Sequence, residues 1–391
     1  MKKVVIILTQ AIENNTSSMI RCKSIISELP QLGYKVCCFC PYPSSSSEYA
    51  QVGVEIKDIV IKRFGSKMPI DFSKKDKSSS KSIKSKVISI IHKIFKKVDV
   101  FGASLQYLKY RPQLFKEIQK EQPQVLLTFS DPMTAHMIGK YIRQRINLKY
   151  IQQWGDPLTT DIISKTALPK WVRYLIEKNL IKYADKICYV SPITCVEQQN
   201  LFKKYASRMI FIPTPYIEYS YQAKEKKLKD QQKISFGYFG SYNSIARNLQ
   251  PFYEAACRAK ECKFDIIGNS DIVLQSTENV TIKGRVSQNE LESFVYSTDV
   301  IVCLMNSKGN QIPGKLYHDA GTDKEILVIK DGEYGNQIEE FFSPFDRYTF
   351  VENEEDKIYQ VLMNYMKNGV PKRKSLEEFN SKVVTNKLIS L

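Results

Sequence analysis

Histidine is scarce in this sequence, three in 391 residues (His92, His136 and His318), and tryptophan is scarcer still, at two. Three histidines spread so widely argue against a multi-histidine metal site. Cysteine is present nine times, an odd number, but mostly inside apolar runs (Cys37, Cys38, Cys40, Cys188, Cys303). No Cys-x-x-Cys comes with a matching His or Cys pair, so structural zinc is not expected and the usage fits a reducing cytoplasm. Long apolar stretches are missing as well. The longest pure runs are Val4 to Leu8 and Val300 to Met305, far short of the roughly 18 residues that span a bilayer. The opening Met1-Lys2-Lys3 before Val4 to Leu8 mimics a signal peptide, but the apolar core is short and enters Thr9-Gln10 with no small-residue cleavage site, so it reads as a buried first strand. Neither G-x-G-x-x-G nor G-x-x-x-x-G-K-[ST] occurs, which leaves a nicotinamide dehydrogenase and a P-loop ATPase without support.

What the chain does have is positive charge, 58 Lys plus Arg against 41 Asp plus Glu for a formal +17, and a hydrophobic fraction of 43%. The charge points to anionic partners without choosing among nucleotide, nucleic acid and lipid. The length suits two domains.

Short β-branched runs alternate with helical patterns, the signature of a parallel sheet wrapped by helices. In the first half the predicted strands are Lys3 to Thr9, Tyr34 to Cys40, Val54 to Phe64, Val125 to Ser130, Lys149 to Trp154, Lys186 to Val190 and Met209 to Pro213. A helix from Ser18 to Leu32 opens after Asn14-Asn15-Thr16-Ser17 and stops at Gly33. Gln222 to Lys233 has the polar composition of an exposed linker. A second series follows, with strands Ile234 to Phe239, Phe264 to Ile267, Val280 to Lys283, Asp299 to Met305, Ile326 to Ile329 and Tyr348 to Val351, and helices after Arg247, Gln288, Pro313, Asn336 and Glu355. The expected class is therefore α/β, with two Rossmann-like domains facing across a cleft: residues 1–220, residues 233–372, and a C-terminal helix in 373–391. In open α/β sheets ligands lie outside the carboxyl ends of the strands.

An insertion at 62–101 differs from its surroundings. From Lys62 to Lys97 it holds twelve Lys or Arg and two Asp. Its second part sets Ile83, Val87, Ile90, Ile91, Ile94, Phe95 and Val98 at helical spacing, with Lys84, Lys86, Lys93, Lys96 and Lys97 on the other faces. Such a basic amphipathic helix either packs on its own domain or lies on an anionic membrane. Nucleic acid is disfavoured because the basic run has no interleaved aromatic platforms.

The chemistry concentrates in the second half. Ile312-Pro313-Gly314-Lys315-Leu316-Tyr317-His318-Asp319 follows the Asp299 strand. Proline suits the first helical position, Gly314 admits a ligand to the backbone, and the amides at a helix start attract phosphate, to which Lys315 adds full charge. Taken alone this is an ordinary helix start. Three strand ends in the same half, however, carry glycine beside a polar or basic residue: Gly240 with Ser241 and the nearby Arg247, Gly268 with Asn269, and Gly284 with Arg285. Each is a plausible turn glycine; together they suggest one ligand surface.

The stretch Val280 to Gly284, Gln288 to Tyr296, Thr298-Asp299-Val300, Pro313 to Gly321 and Glu325 to Val328 resembles the donor half of family 4 glycosyltransferases. In the first half Trp154-Gly155-Asp156-Pro157, the helix Trp171 to Ala184 with Glu177, and Ala184-Asp185-Lys186 are similar to that family's acceptor domain. Ser130-Asp131-Pro132 through His136 is similar to its strand-to-helix turn. The resemblance implies the GT-B fold, a nucleotide-diphosphate sugar as donor, no metal or other cofactor, and retention of configuration. Where the family usually carries two glutamates, this chain has Asn310 and His318, and where it has Gly-Lys-Pro this chain has Asp323-Lys324-Glu325.

The expected diphosphate contacts are then Gly240, Arg247, Gly314 and Lys315, and the nucleoside and sugar contacts Gly268, Asn269, Gly284, Arg285, Asn310, His318 and Asp319. Asp131, His136 and Asp156 are the candidates beside the reacting sugar. For His136 a histidine packed beside Met133 and Met137 is the plain alternative, and for Asp131 a helix N-cap. A saccharide or lipid-linked acceptor, met at the inner face of the membrane by a cytoplasmic protein of surface-polysaccharide synthesis, would account for the basic insertion. The competing readings are a nucleotide-sugar epimerase and a degenerate sugar-nucleotide-binding protein.

Overall fold

The computed structural model describes residues 2–14, 16–43, 56–65, 102–130, 132–160, 168–216 and 233–391. Asp131, the helix expected at 83–101 and most of the polar stretch 222–233 lie outside these. The chain divides into two compact units, Met1–Ile212 with Thr385–Leu391, and Pro213–Val384.

The first unit holds seven strands: β1 (Lys3–Ile7), β2 (Lys35–Pro41), β3 (Ile59–Phe64), β4 (Val125–Phe129), β5 (Lys149–Trp154), β6 (Lys186–Tyr189) and β7 (Met209–Phe211). All pair in parallel, in the order β3-β2-β1-β4-β5-β6-β7. Val5 lies opposite Cys37 on one side and Leu126 on the other. Helices cover both faces of such a sheet, so its central strands are buried throughout: β4 (VLLTF) is buried at all five positions.

The covering helices are α1 (Ser17–Glu28), α2 (Arg111–Glu121), α3 (Thr134–Arg143), α4 (Lys170–Ile181) and α5 (Pro192–Leu201). Two of these starts carry side-chain caps. Thr16 Oγ1 accepts from the Met19 amide at 3.2 Å, and Ser191 Oγ accepts from Thr194 at 3.2 Å ahead of Pro192. α1 ends at Glu28 and not at Leu32 because Pro30 has no amide with which to continue the ladder. The chain then turns through Gly33 at φ +83°.

The second unit repeats the plan with β8 (Ser235–Phe239), β9 (Lys263–Ile267), β10 (Val280–Lys283), β11 (Val300–Leu304), β12 (Glu325–Lys330) and β13 (Tyr348–Glu352). The order is β10-β9-β8-β11-β12-β13, again all parallel. Strand order reverses between β8 and β11, which makes the carboxyl ends of those two strands the switch point where such sheets bind ligands. The helices are α6 (Gln250–Arg258), α7 (Gln288–Ser297), α8 (Gly314–His318), α9 (Gly335–Phe342) and α10 (Glu355–Asn368), and the last helix, α11 (Ser381–Ser390), passes from this unit into the first at Thr385.

The segment before the polar stretch belongs to this second unit. The Tyr216 amide donates to Phe379 O at 2.9 Å, and the Tyr216 ring lies so close to Gly321 that a Cβ there would come within 2.6 Å of it.

A buried ion pair ties the far side of the unit. Glu325 has no exposed surface; it receives Arg373 Nε at 2.6 Å, Thr349 Oγ1 at 2.7 Å and Tyr365 Oη at 3.0 Å. Arg347, 1% exposed, donates to Lys324 O and, at 2.9 Å, to Thr322 O. The Asp323-Lys324-Glu325 variation therefore sits in a loop pinned from below by two arginines.

Candidate functional site: the strand ends of the second unit

The carboxyl ends of β8 and β9 are locked together by their glycines. The Gly240 amide donates to Ile267 O at 2.9 Å, and a Cβ on Gly268 would fall 1.9 Å from Gly240 O. No side chain fits at 268. One strand further, the Gly268 amide donates to Lys283 O at 3.0 Å, and Asn269 Oδ1 accepts from the Arg285 amide at 3.3 Å. Asn269 thus staples the Gly284-Arg285 turn to its neighbour. A Cβ on Gly284 would meet nothing within 4 Å, so that turn borders open space, with Arg285 exposed beside it.

Lys315 reaches this platform from α8. Its stem crosses Gly240 so closely that a Cβ at 240 would lie 3.1 Å from Lys315 Cε, and its ammonium stands 5.9 Å from the Phe239 ring centre. Arg247 arrives from the loop after β8. Two backbone bonds between Asn243 and Arg247, at 3.2 and 3.1 Å, close that loop into a tight ring. The guanidinium is then fixed on both sides, Nε donating to Asn306 Oδ1 at 2.8 Å and Nη1 to Ser241 O at 3.2 Å. Tyr238 Oη donates to the same Ser241 carbonyl at 3.1 Å. Lys315, Arg247, Gly240 and Gly268 therefore meet at the switch point between β8 and β11. Asn306, 9% exposed, completes the arrangement and was not foreseen. Its signal was a polar residue one position past the end of the apolar strand β11, after Met305.

α8 is a single turn of five residues that passes into a 3-10 turn at Asp319–Gly321. Its dipole is correspondingly small, so the positive charge of this region comes chiefly from Lys315 and Arg247. His318 folds back along that turn: a Cβ on Gly314 would lie 3.8 Å from His318 Nε2. Asn310 is buried at 5% exposure. Asp319 has a partner toward the sheet, Oδ2 accepting from Cys303 Sγ at 3.3 Å, and burial raises its carboxyl above the ordinary range against the pull of Lys315. In this structure Asp319 is thus engaged with β11.

In the first unit His136 packs on β4 and β5. It has no exposed surface; Nδ1 is 2.7 Å from Thr128 Oγ1, and the ring lies 4.4 Å from Trp154. Burial, with Arg21 adding to it, lowers its pKa to about 3, which keeps the ring neutral and unsuited to acting as a general acid near neutrality. Its Nε2 has no hydrogen-bond partner in the structure. The loop that carries Asp156 begins where the Gly155 amide donates to Ser130 Oγ at 2.7 Å. It is then clamped by two helices. Arg173 Nη1 donates to Leu158 O at 3.2 Å, Glu177 Oε2 accepts from the Thr159 amide at 2.7 Å and its hydroxyl at 2.6 Å, and Gln198 Nε2 donates to Thr160 Oγ1 at 3.2 Å. Glu177 is fully buried, and desolvation lifts its carboxyl to about 7 although the Thr159 bonds and Arg173 oppose the rise. Among the described residues, no three His, Cys, Asp or Glu side chains are grouped as a metal site requires.

The two parallel α/β units define the chain as having the fold of GT-B glycosyltransferases. Among solved structures it is similar to the sucrose-phosphate synthase of Thermosynechococcus elongatus, with TM-score 0.64, 11% identity and coverage of 100% of this chain and 98% of that one. It is also similar to the lipopolysaccharide outer core galactosyltransferase WaaB in its apo form, at TM-score 0.54 and 10% identity over 99% of each chain. The UDP-GlcNAc 2-epimerase of Neisseria meningitidis, solved with UDP-GlcNAc bound, matches at TM-score 0.53 and 10% identity over 100% of this chain and 99% of that one. No family model and no curated protein sequence matches the chain.

Proposed function

We propose that the protein is a glycosyltransferase that takes a sugar from a nucleotide-diphosphate donor and passes it, with retention and without a metal, to a saccharide or lipid-linked saccharide acceptor. The observation that carries this reading is the meeting of Lys315 and the doubly held Arg247 over the Gly240 and Gly268 backbone at the switch point of the second unit. Cleavage of a sugar-diphosphate bond leaves growing negative charge on the departing phosphate, and the held Arg247 guanidinium together with the Lys315 ammonium above side-chain-free backbone suits that charge. Gly314 beside Lys315 leaves room for a phosphate oxygen. Gly268, Asn269, Gly284 and Arg285 form the rim on which a nucleoside would rest, and Asn310 and His318 would bond donor hydroxyls as neutral groups. In the first unit Asp156 and Asp131 are the candidates beside the reacting sugar, and His136, which has no exposed surface, would act only through the groups packed on it. A neutral His136 fits hydrogen bonding better than proton transfer.

The place of action in this reading is the cytoplasmic face of the membrane, in surface-polysaccharide synthesis, with 62–101 holding the protein to anionic lipid. The epimerase neighbour keeps a second reading open. The site in the second unit, however, has few carboxylates and histidines for the proton transfers of epimerisation. Calorimetry with a panel of nucleotide-diphosphate sugars, followed by an assay for released nucleotide diphosphate, tests the proposal. Binding with release on adding a saccharide acceptor supports it; binding without turnover points to a degenerate binding protein, and no binding of any donor refutes it.

A further inference from the structure

The outer face of α4 presents the largest exposed aromatic side chain among the described residues. Trp171 is 67% exposed, and Leu175, one turn on, is 52% exposed. Lys178 and Lys182 continue the same row at i+7 and i+11, so at 100° per residue the four lie within about 60° of one another. Lys170, Lys178 and Lys182 are exposed, whereas the helix's sole acidic residue, Glu177, is fully buried beneath it. Arg173 is half-buried and bonded to Leu158 O. Every charge this helix turns outward is thus positive.

We propose that this face of α4 docks on an anionic lipid surface, with Trp171 and Leu175 entering the headgroup boundary and Lys178 and Lys182 pairing with lipid phosphates. A protein partner fits the patch less well. Two apolar side chains are few beside the roughly 800 Å² each partner buries in a standard interface, and lysine is depleted from such interfaces. Indole rings and snorkelling lysines are, by contrast, the groups that favour a bilayer interface. Each lysine near an anionic surface strengthens binding about fivefold, and two therefore about 25-fold. This surface is carried by residues of α4, not by those of the basic insertion, and does not depend on the donor-site reading, which sugar calorimetry tests by itself.

The tryptophan content makes the test direct. The chain has two tryptophans, of which Trp154 is fully buried in the first unit, so Trp171 alone is placed to respond to lipid. The full chain is mixed with vesicles of phosphatidylglycerol and phosphatidylcholine, or of phosphatidylcholine alone, and emission is recorded with and without brominated lipid. The expected result is a blue shift and bromine quenching with anionic vesicles only. Trp171→Ala should remove that signal and reduce co-sedimentation, and Lys178→Glu with Lys182→Glu should weaken binding by about 25-fold or more. Both variants change exposed side chains, and an unaltered thermal transition verifies that they fold. Vesicle binding with unmoved tryptophan emission would overturn the proposal in favour of the basic insertion. A blue shift that grows with protein concentration in the absence of lipid would overturn it in favour of a second copy of the chain. Absence of vesicle binding would refute it outright.

Discussion

Replacing Glu177 by glutamine should make the protein more stable, and increasingly so as pH rises. The carboxyl is fully buried, with Oε2 committed to Thr159 and Oε1 lacking a hydrogen-bond partner, and its pKa is raised to about 7. An ordinary glutamate in the unfolded chain titrates near 4.3. The folded state therefore binds this proton more tightly than the unfolded state. The resulting stability is fully present below about 4.3 and is lost as pH rises through about 7. Above that, the buried charge costs roughly 3.7 kcal/mol, from 1.36 kcal/mol per unit over about 2.7 units. Glutamine never acquires the charge, and its carbonyl oxygen can accept both Thr159 bonds. The difference in melting temperature between variant and parent should grow from near zero at about pH 4 to a plateau above about pH 8. At about 2–4 °C per kcal/mol for a unit of this size, the plateau is roughly 7–15 °C. Calorimetric scans from about pH 4 to about pH 9 measure it, and taking the difference cancels every other titrating group. Parallel curves for variant and parent, or a variant that loses stability at high pH, would show that Glu177 is not held as a buried charge and would refute the reasoning.

Lys315→Ala should weaken donor binding by roughly 10- to 100-fold, the worth of one charge-assisted contact to phosphate, with the melting temperature unchanged; calorimetry with the best donor reads this. Asn306→Ala frees one side of Arg247 and should cost about threefold to tenfold in the same titration, whereas Asn306→Asp should retain the lock. Gly268→Ala forces a Cβ into the Gly240 carbonyl, so the strand ends must part; we expect a loss of about 1–3 kcal/mol in denaturant unfolding together with loss of donor binding. Glu325→Ala leaves Arg373 without its buried carboxylate and should destabilise the second unit by about 3–5 kcal/mol, seen as a lowered urea midpoint.

The strands were legible because a parallel sheet covered on both faces demands nearly continuous apolar runs. Val300–Leu304 and Val125–Phe129 can be read off directly, and their observed bounds differ from the expected ones by a residue at each end or fewer. Capping made the first helix start legible too, at Thr16, whereas the Ser191 cap ahead of Pro192 was not read from the sequence. The end of α1 was misread because Gly33 was taken as the stop, when the missing amide of Pro30 acts first. At the site, Pro313-Gly314-Lys315 stood out by residue type, but its reach over Gly240 is a contact between positions 75 apart in sequence, and no local pattern encodes it. Asn306 was missed for the same reason: its value lies in Arg247, 59 residues away.

By itself, then, the sequence determined the α/β alternation, the two successive series of strands, and the residue types able to meet a phosphate. These depend on periodicity, capping and charge, which are properties of neighbours along the chain. Only the tertiary structure decided the strand orders that put a switch point between β8 and β11, and that Lys315 and Arg247 converge there. It also decided that Asp319 turns to Cys303 and that His136 and Glu177 are buried with shifted protonation. Burial and convergence arise when distant segments exclude water together, and desolvation then sets what each polar group can do.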